Sequence, residues 1–327
     1  MAAHGRVHLW ERRHLCQRGE CMQEIHEFLK SEGIRDELLE GIRAFRQREG
    51  IPETLAGRIP HLDQYYLGTE IWERAIAAFL CGKNLLLAGP KSTGKNVLAE
   101  SLAQAFGRPV WNISFHIGAD AASLVDTDTY DGQRVVFRPG PVTLCAQHGG
   151  FGVFDEINMA RNEAMAVLHS VLDFRRILDV PGYDVVRLDP CARFIATMNY
   201  DYAGTRELNE ALASRFVVLD MPPISEGDLD RLFRESFPDL RPEARAQFVA
   251  LFFELDRKAT SAEVSGKAAD LRGLLDAVDL MHSGVTTGAA LAMCISNKTF
   301  DPYERGLVQD VIDARIDPTQ GSADLFV

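Results

Sequence analysis

The sequence predicts an α/β domain followed by a smaller helical one. Short apolar runs at 84–88, 151–154, 194–198 and 216–221 have the length and flanks of buried strands. Stretches with helical spacing lie between them, as in a sheet whose strands are joined by helices. From about Pro223 only helical patterns follow, punctuated by Pro and Gly. A chain of 327 residues is long enough for both parts.

In chain order, residues 1–21 come first. They hold His8, His14, Cys16 and Cys21, with His26 just beyond. The spacings match no standard zinc pattern. A zinc site, a disordered tail and a translation start at Met22 are three readings of this segment. From Met22 an amphipathic pattern begins (Ile25, Phe28, Leu29), and helices continue through Ile34 to Phe45. Residues 1–58 are therefore expected to form a tail and helical extension ahead of the α/β domain, 59–222. Within that domain Tyr65 and Tyr66 precede a helix that puts Ile71, Trp72, Ala75, Ile76 and Phe79 on one face. Ordinary core packing and a wall for a planar ring both suit that face.

The run 84–88 leads into Gly89-Pro90-Lys91-Ser92-Thr93-Gly94-Lys95-Asn96, a G-x-x-x-x-G-K loop between strand and helix. Gly89 and Gly94 permit backbone turns that aim successive N–H groups at an anion. Lys95 adds a charge that can reach β- and γ-phosphates. The following helix, with Val97, Leu98, Leu102 and Phe106 read as one face, presents its positive end to the phosphates. The last position departs from the pattern: Asn96 stands where Ser or Thr usually binds Mg²⁺. Its carbonyl is also a hard oxygen ligand, on a longer side chain. Direct ligation, ligation through water, and slow hydrolysis all remain open.

Residues 127–140 and 175–188 alternate around Asp131-Gly132 and Pro181-Gly182, which predicts two hairpins. The strand 151–154 ends in Asp155-Glu156. Two carboxylates there need a role or partners, or they are an acidic surface turn. In a nucleotide site Asp155 would hold Mg²⁺ and Glu156 would polarise the attacking water. The strand 194–198 ends in Asn199, an amide suited to orienting that water or touching the γ-phosphate, or else a turn residue. Arg215 precedes the last strand, and its planar cation suits phosphate contact from a neighbouring subunit. Arg206 is a second candidate. After Pro223, helices are expected around Leu229–Phe233, Phe248–Leu255, Leu271–Met281 and 301–315, forming a helical lid, 223–327.

Together GPKSTGKN (89–96), GFGVFDEIN (150–158), ATMNY (196–200) and GTRELNEALASRF (204–216) resemble an AAA+ ATPase of the MoxR type. The resemblance is close to the branch containing the NorQ, CbbQ and gas-vesicle GvpN proteins and the related midasin and dynein modules. The resemblance covers roughly residues 60–315. It implies a P-loop core with a five-stranded parallel sheet, ATP and Mg²⁺ as cofactors, and a homo-oligomeric ring, usually a hexamer. By the same resemblance Lys95 is the phosphate lysine, Asp155 the metal residue, Glu156 the base, Asn199 sensor 1 and Arg215 the trans finger. Arg272, in AADLRGLLDAV, matches the sensor-2 arginine, or is the solvated edge of the helix marked by Leu271, Leu274, Leu275 and Val278. Ser114 falls where relatives often restrain the base glutamate, and 60–82 where they border adenine. The two hairpins would line a ring face or pore. The GAFTGA loop of transcription-activating relatives is absent. Such proteins remodel partner proteins, often with a von Willebrand A-domain (VWA) adaptor, in metalloenzyme maturation for example.

Composition agrees with an intracellular machine. Apolar residues make up 46% of the chain and charged residues 25%, near globular averages. Cysteines at 16, 21, 81, 145, 191 and 294 form no disulfide framework, which points to a reducing, cytoplasmic setting. No apolar stretch is long enough to span a membrane, and no signal peptide is expected. A net charge of −12 argues against a nucleic-acid motor, which would present a basic stripe. Two alternatives to a remodelling ATPase stay open: an ATP-gated assembly module with little turnover, and, with less support, such a motor.

Overall fold

A computed structural model describes residues 18–48, 50–115, 124–130, 135–160, 165, 167–178, 185–200 and 208–327. The histidines and first cysteine of the N-terminal segment, both hairpin tips and Arg206 lie outside them. The chain divides into two compact units, Met1–Pro222 and Pro223–Val327.

The first unit opens with helices α1 (Arg18–Ser31), α2 (Asp36–Arg48) and α3 (Thr69–Leu80). Strand β1 (Asn84–Gly89) and helix α4 (Lys95–Phe106) bracket the glycine loop. Strand β2 (Val110–Ser114) follows, then the antiparallel pair β3 (Asp126–Tyr130) and β4 (Val135–Pro139). Helix α5 (Pro141–His148), strand β5 (Phe151–Asp155) and short helix α6 (Leu168–Leu172) lead to a second antiparallel pair, β6 (Ile177–Leu178) and β7 (Val186–Arg187). Strand β8 (Arg193–Asn199), a single turn α7 (Glu210–Ala213) and strand β9 (Phe216–Asp220) complete the unit. Both expected hairpins are present as strand pairs.

Five strands form one parallel sheet in the order β2-β5-β8-β1-β9. Period-two alternation divides its side chains between two cores. Leu85 and Leu87 of β1, Val153 of β5 and Ile195 of β8 pack with α1–α4. Leu86, Phe154, Phe194 and Ala196 face the other way, toward α5 and α6. Strands buried on both faces read as continuous apolar runs, which is how β1, β5 and β8 were visible in the sequence; β9 is apolar by composition, but its Val217 and Val218 are exposed.

The N-terminal helices belong to the first core. Ile25, Leu29, Ile42 and Phe45 are buried with Trp72, Phe79 and Phe106. Phe45 meets Phe106 edge-on at 5.0 Å, and Phe79 meets Phe151 at 4.9 Å, the arrangement aromatic quadrupoles favour. The Arg46 guanidinium donates to the carbonyl of Ala105 in the last turn of α4, a contact that suits a helix C-terminus. The expected apolar face of α4 needs one correction. Leu98, Leu102 and Phe106 are fully buried, but Val97 is 40% exposed. One residue is a rotation of about 100° on a helix, enough to carry Val97 off a stripe set by i, i+4 spacing.

The second unit is all helical: α8 (Glu226–Ser236), α9 (Pro242–Thr260), α10 (Leu271–His282), α11 (Thr287–Cys294), α12 (Pro302–Asp313) and α13 (Ser322–Leu325). Ser225 and Asp301 cap α8 and α12 through the backbone N–H groups of Asp228 (3.1 Å) and Glu304 (2.8 Å). Its core gathers Phe233, Phe248, Leu251, Leu274, Val278 and Val308. Helix α11 was not read from the sequence. Its run TGAALAMC is apolar nearly all round, so no helical stripe marks it.

Candidate functional site

The glycine loop leaves a strand whose residues are all buried. A Cβ at Gly89 would sit 2.7 Å from the carbonyl oxygen of Met221, so the close approach of two backbones requires glycine. Ser92 and Gly94 take left-handed backbone conformations, φ +61° and +77°. These bends turn the chain into the first residue of α4, which is Lys95. Beneath the loop, the ring of Tyr66 lies against Gly94, where an added Cβ would come within 3.0 Å of it.

Lys95 is buried. Its ammonium donates to the Gly89 carbonyl (3.1 Å), the Thr93 hydroxyl (3.2 Å) and the Pro90 carbonyl. Burial pushes its pKa down to about 8, against the opposing pull of the Asp155 and Glu156 carboxylates. Those carboxylates are therefore close enough to act on the same charge.

Register brings the other residues to this edge. Gly89 lies beside Asn199 and Phe154 beside Ala196, so β1, β5 and β8 end together. Asn199 donates from its side-chain amide to a Glu156 carboxylate oxygen at 3.1 Å. The Asn158 amide in turn donates to the Asn199 carbonyl at 3.1 Å. Glu156 has φ +54°, an uncommon conformation for a residue with a side chain. At the centre is Thr197, which is 2% exposed. Its hydroxyl donates to Asp155 Oδ1 at 2.7 Å and accepts the Glu156 backbone N–H at 3.0 Å.

Thr197 and Asn158 were missed as site residues, although both lie inside the motifs quoted above. A threonine within FIATMN is an ordinary strand residue by type, and only the register shows what its hydroxyl meets. Ser114, by contrast, is exposed at the end of β2, paired in register with Asp155. Among the described residues, the hydrogen bond to the Glu156 carboxylate comes from Asn199 rather than Ser114.

Asn96 is exposed on the first turn of α4. Arg272 is exposed on the first turn of α10, in the second unit. Arg215 lies apart from the loop. Phe216 pairs with Asn84, so Arg215 stands at the start of β1 whereas the loop stands at its end. Five strand steps separate them, roughly 16 Å. Its guanidinium donates to the Ala211 carbonyl and lies 3.9 Å from Asp173, and its side chain is 27% exposed.

Residues 84–216 match the AAA domain (dynein-related subfamily). The uncharacterized protein YojN of Bacillus subtilis (strain 168) is 36% identical over 245 residues, covering 73% of this chain and 80% of its own. The uncharacterized protein SH1500 of Staphylococcus haemolyticus is 33% identical over 259 residues, covering 77% and 98%. SAUSA300_1302 of Staphylococcus aureus (strain USA300), also uncharacterized, is 31% identical over 249 residues, covering 74% and 94%. With the glycine loop, the paired carboxylates and the five-stranded parallel order in place, the chain belongs to the AAA+ ATPase family, through an AAA domain of the dynein-related subfamily.

Proposed function

We propose that this protein hydrolyses ATP in a ring of its own copies and uses the cycle to remodel a partner protein. The observation that carries the reading is a divided site. Lys95, Asp155, Glu156 and Asn199 meet at the carboxyl edge of the sheet, and Arg215 stands at the amino edge. The separation is longer than an arginine side chain, so Arg215 cannot reach its own loop, and on this reading it serves the loop of a neighbour. A finger supplied this way stabilises charge on the transferred phosphoryl group. Heterologous contacts that close on themselves make a ring, taken here as a hexamer of the MoxR type.

Each residue then has a physical task. Loop N–H groups and Lys95 hold the phosphates, the lysine exchanging carbonyl partners for phosphate oxygens. Glu156 accepts a proton from the attacking water, and the Asn199 amide fixes its carboxylate for that purpose. Asp155 and Asn96 offer hard oxygen atoms for Mg²⁺, which, when bound with ATP, neutralises charge on the phosphates. Among the described residues no three His, Cys, Asp or Glu side chains form a cage. A magnesium ion held here would take its remaining ligands from phosphate and water.

The partner is read as a client protein, with a VWA-domain protein as adaptor and a metalloenzyme as one kind of client. Cytoplasmic action is part of the reading. Among the described residues no helix is long and apolar enough to cross a membrane. Asn96 favours a second reading, an ATP-gated assembly module with little turnover. Steady-state ATPase assays on the assembled protein separate the two. Glu156→Gln should lower turnover by about 10²–10⁴-fold while leaving ATP bound, the range for loss of a general base. The same variant, used as bait with ATP, should retain the client. Wild-type turnover no higher than that of Glu156→Gln would select the second reading.

A further inference from the structure

The geometry points to Thr197 as a positioning residue: one buried hydroxyl sets both carboxylates of the site. The inference rests on the ATPase reading and adds to it a residue that touches no substrate atom.

A hydroxyl has one proton to donate and lone pairs with which to accept. Thr197 uses both in opposite directions. It donates to Asp155 Oδ1 at 2.7 Å, so that oxygen is turned toward β8 and the carboxylate keeps one orientation. It accepts the backbone N–H of Glu156 at 3.0 Å, which holds the next residue in its left-handed conformation. An L-residue with φ +54° is stable only where its surroundings over-determine it. Two contacts from β8 do so here: Thr197 on the Glu156 backbone and Asn199 on its side chain. Because Thr197 sits inside a parallel strand between Ala196 and Met198, its own position is fixed by pairing with Leu87 of β1. The hydroxyl thus ties the strand that leads into the phosphate loop to the pair that handles metal and water.

Thr197 is 2% exposed and its bond to Glu156 is part-buried, so removing its hydroxyl leaves the Glu156 N–H without that acceptor where water only partly replaces it. The left-handed bend then loses its anchor, and the Glu156 carboxylate shifts relative to the phosphates. Displacements of about 1 Å in an active site cost up to roughly 10²-fold in rate. The phosphate loop is untouched, so nucleotide affinity should hold.

Comparison of Thr197→Ser with Thr197→Ala isolates the hydroxyl, because both variants lose the methyl group. Two measurements are made on wild type and both variants: kcat with ATP dissociation constant, and amide hydrogen exchange of the segment containing Glu156. The serine variant should keep turnover within about threefold and exchange as slowly as wild type. The alanine variant should lose about 10–100-fold in kcat, with the dissociation constant within threefold, and Glu156 should exchange faster. Equal turnover and equal exchange in the two variants would overturn the inference. So would a serine variant as impaired or as poorly folded as alanine, since the methyl packing would then be what matters. If wild type itself shows no turnover, the ATPase reading fails, and the exchange comparison alone still decides whether the hydroxyl anchors Glu156.

Discussion

Lys95 carries the most direct pH signature in the molecule. Its free-protein pKa lies at about 8 because the ammonium is buried. Phosphate binding needs the charged form, so ATP affinity should fall as pH rises through that value. Between pH 7 and pH 9 the drop should be about tenfold, measured as the ATP dissociation constant, since the protonated fraction falls by that factor. Stability of the nucleotide-free protein runs the other way. The folded lysine holds its proton less tightly than the unfolded one, so between about pH 8 and 10.5 the unfolded chain binds more protons and stability rises with pH across that window. Asn96 is tested by Asn96→Thr. If Asn96 ligates the metal, directly or through water, the change should alter the Mg²⁺ concentration needed for half-maximal turnover. An unchanged Mg²⁺ profile would remove Asn96 from the metal site.

At the scale of elements, the first unit depends on how α1 and α2 share its core. Phe45 is buried against Phe106, with the Arg108 and Arg193 guanidinium groups 5.2 and 5.5 Å from its ring centre. Phe45→Ala should cost about 3–5 kcal/mol, as loss of a buried aromatic usually does. Denaturant unfolding followed by circular dichroism would measure it, and a loss under 1 kcal/mol would mean α2 is only loosely held. The helical spacing of Ile25, Phe28 and Leu29, and helices onward through Ile34 to Phe45, were plain in the sequence, but spacing names a face and not its partner. That these helices pack on α3 and α4 needed the structure. The same limit applies at the site. The loop is legible because all its contacts are local in sequence. The bonds among Asp155, Glu156, Thr197 and Asn199 join positions about forty apart, and only strand register brings them together. The two hairpins were readable from alternation around turn residues, whereas α11 had no stripe to betray it.

Across the whole molecule, the two ends of β1 carry different groups. One end gathers Lys95, Asp155, Glu156 and Asn199, and the other presents Arg215, held near Asp173 and Ala211. If the finger works between subunits, Arg215→Ala should keep ATP binding and lose turnover by about 10³-fold or more, in the range known for such residues. The most direct test mixes two inactive variants. An Arg215→Ala subunit retains its carboxylates, and a Glu156→Gln subunit retains its finger. Where the finger of the second meets the site of the first, one complete site forms. Co-assembled mixtures should hydrolyse ATP well above either variant alone. Mixed rings, verified as mixed, that stay as inactive as their parents would contradict a finger that works between subunits.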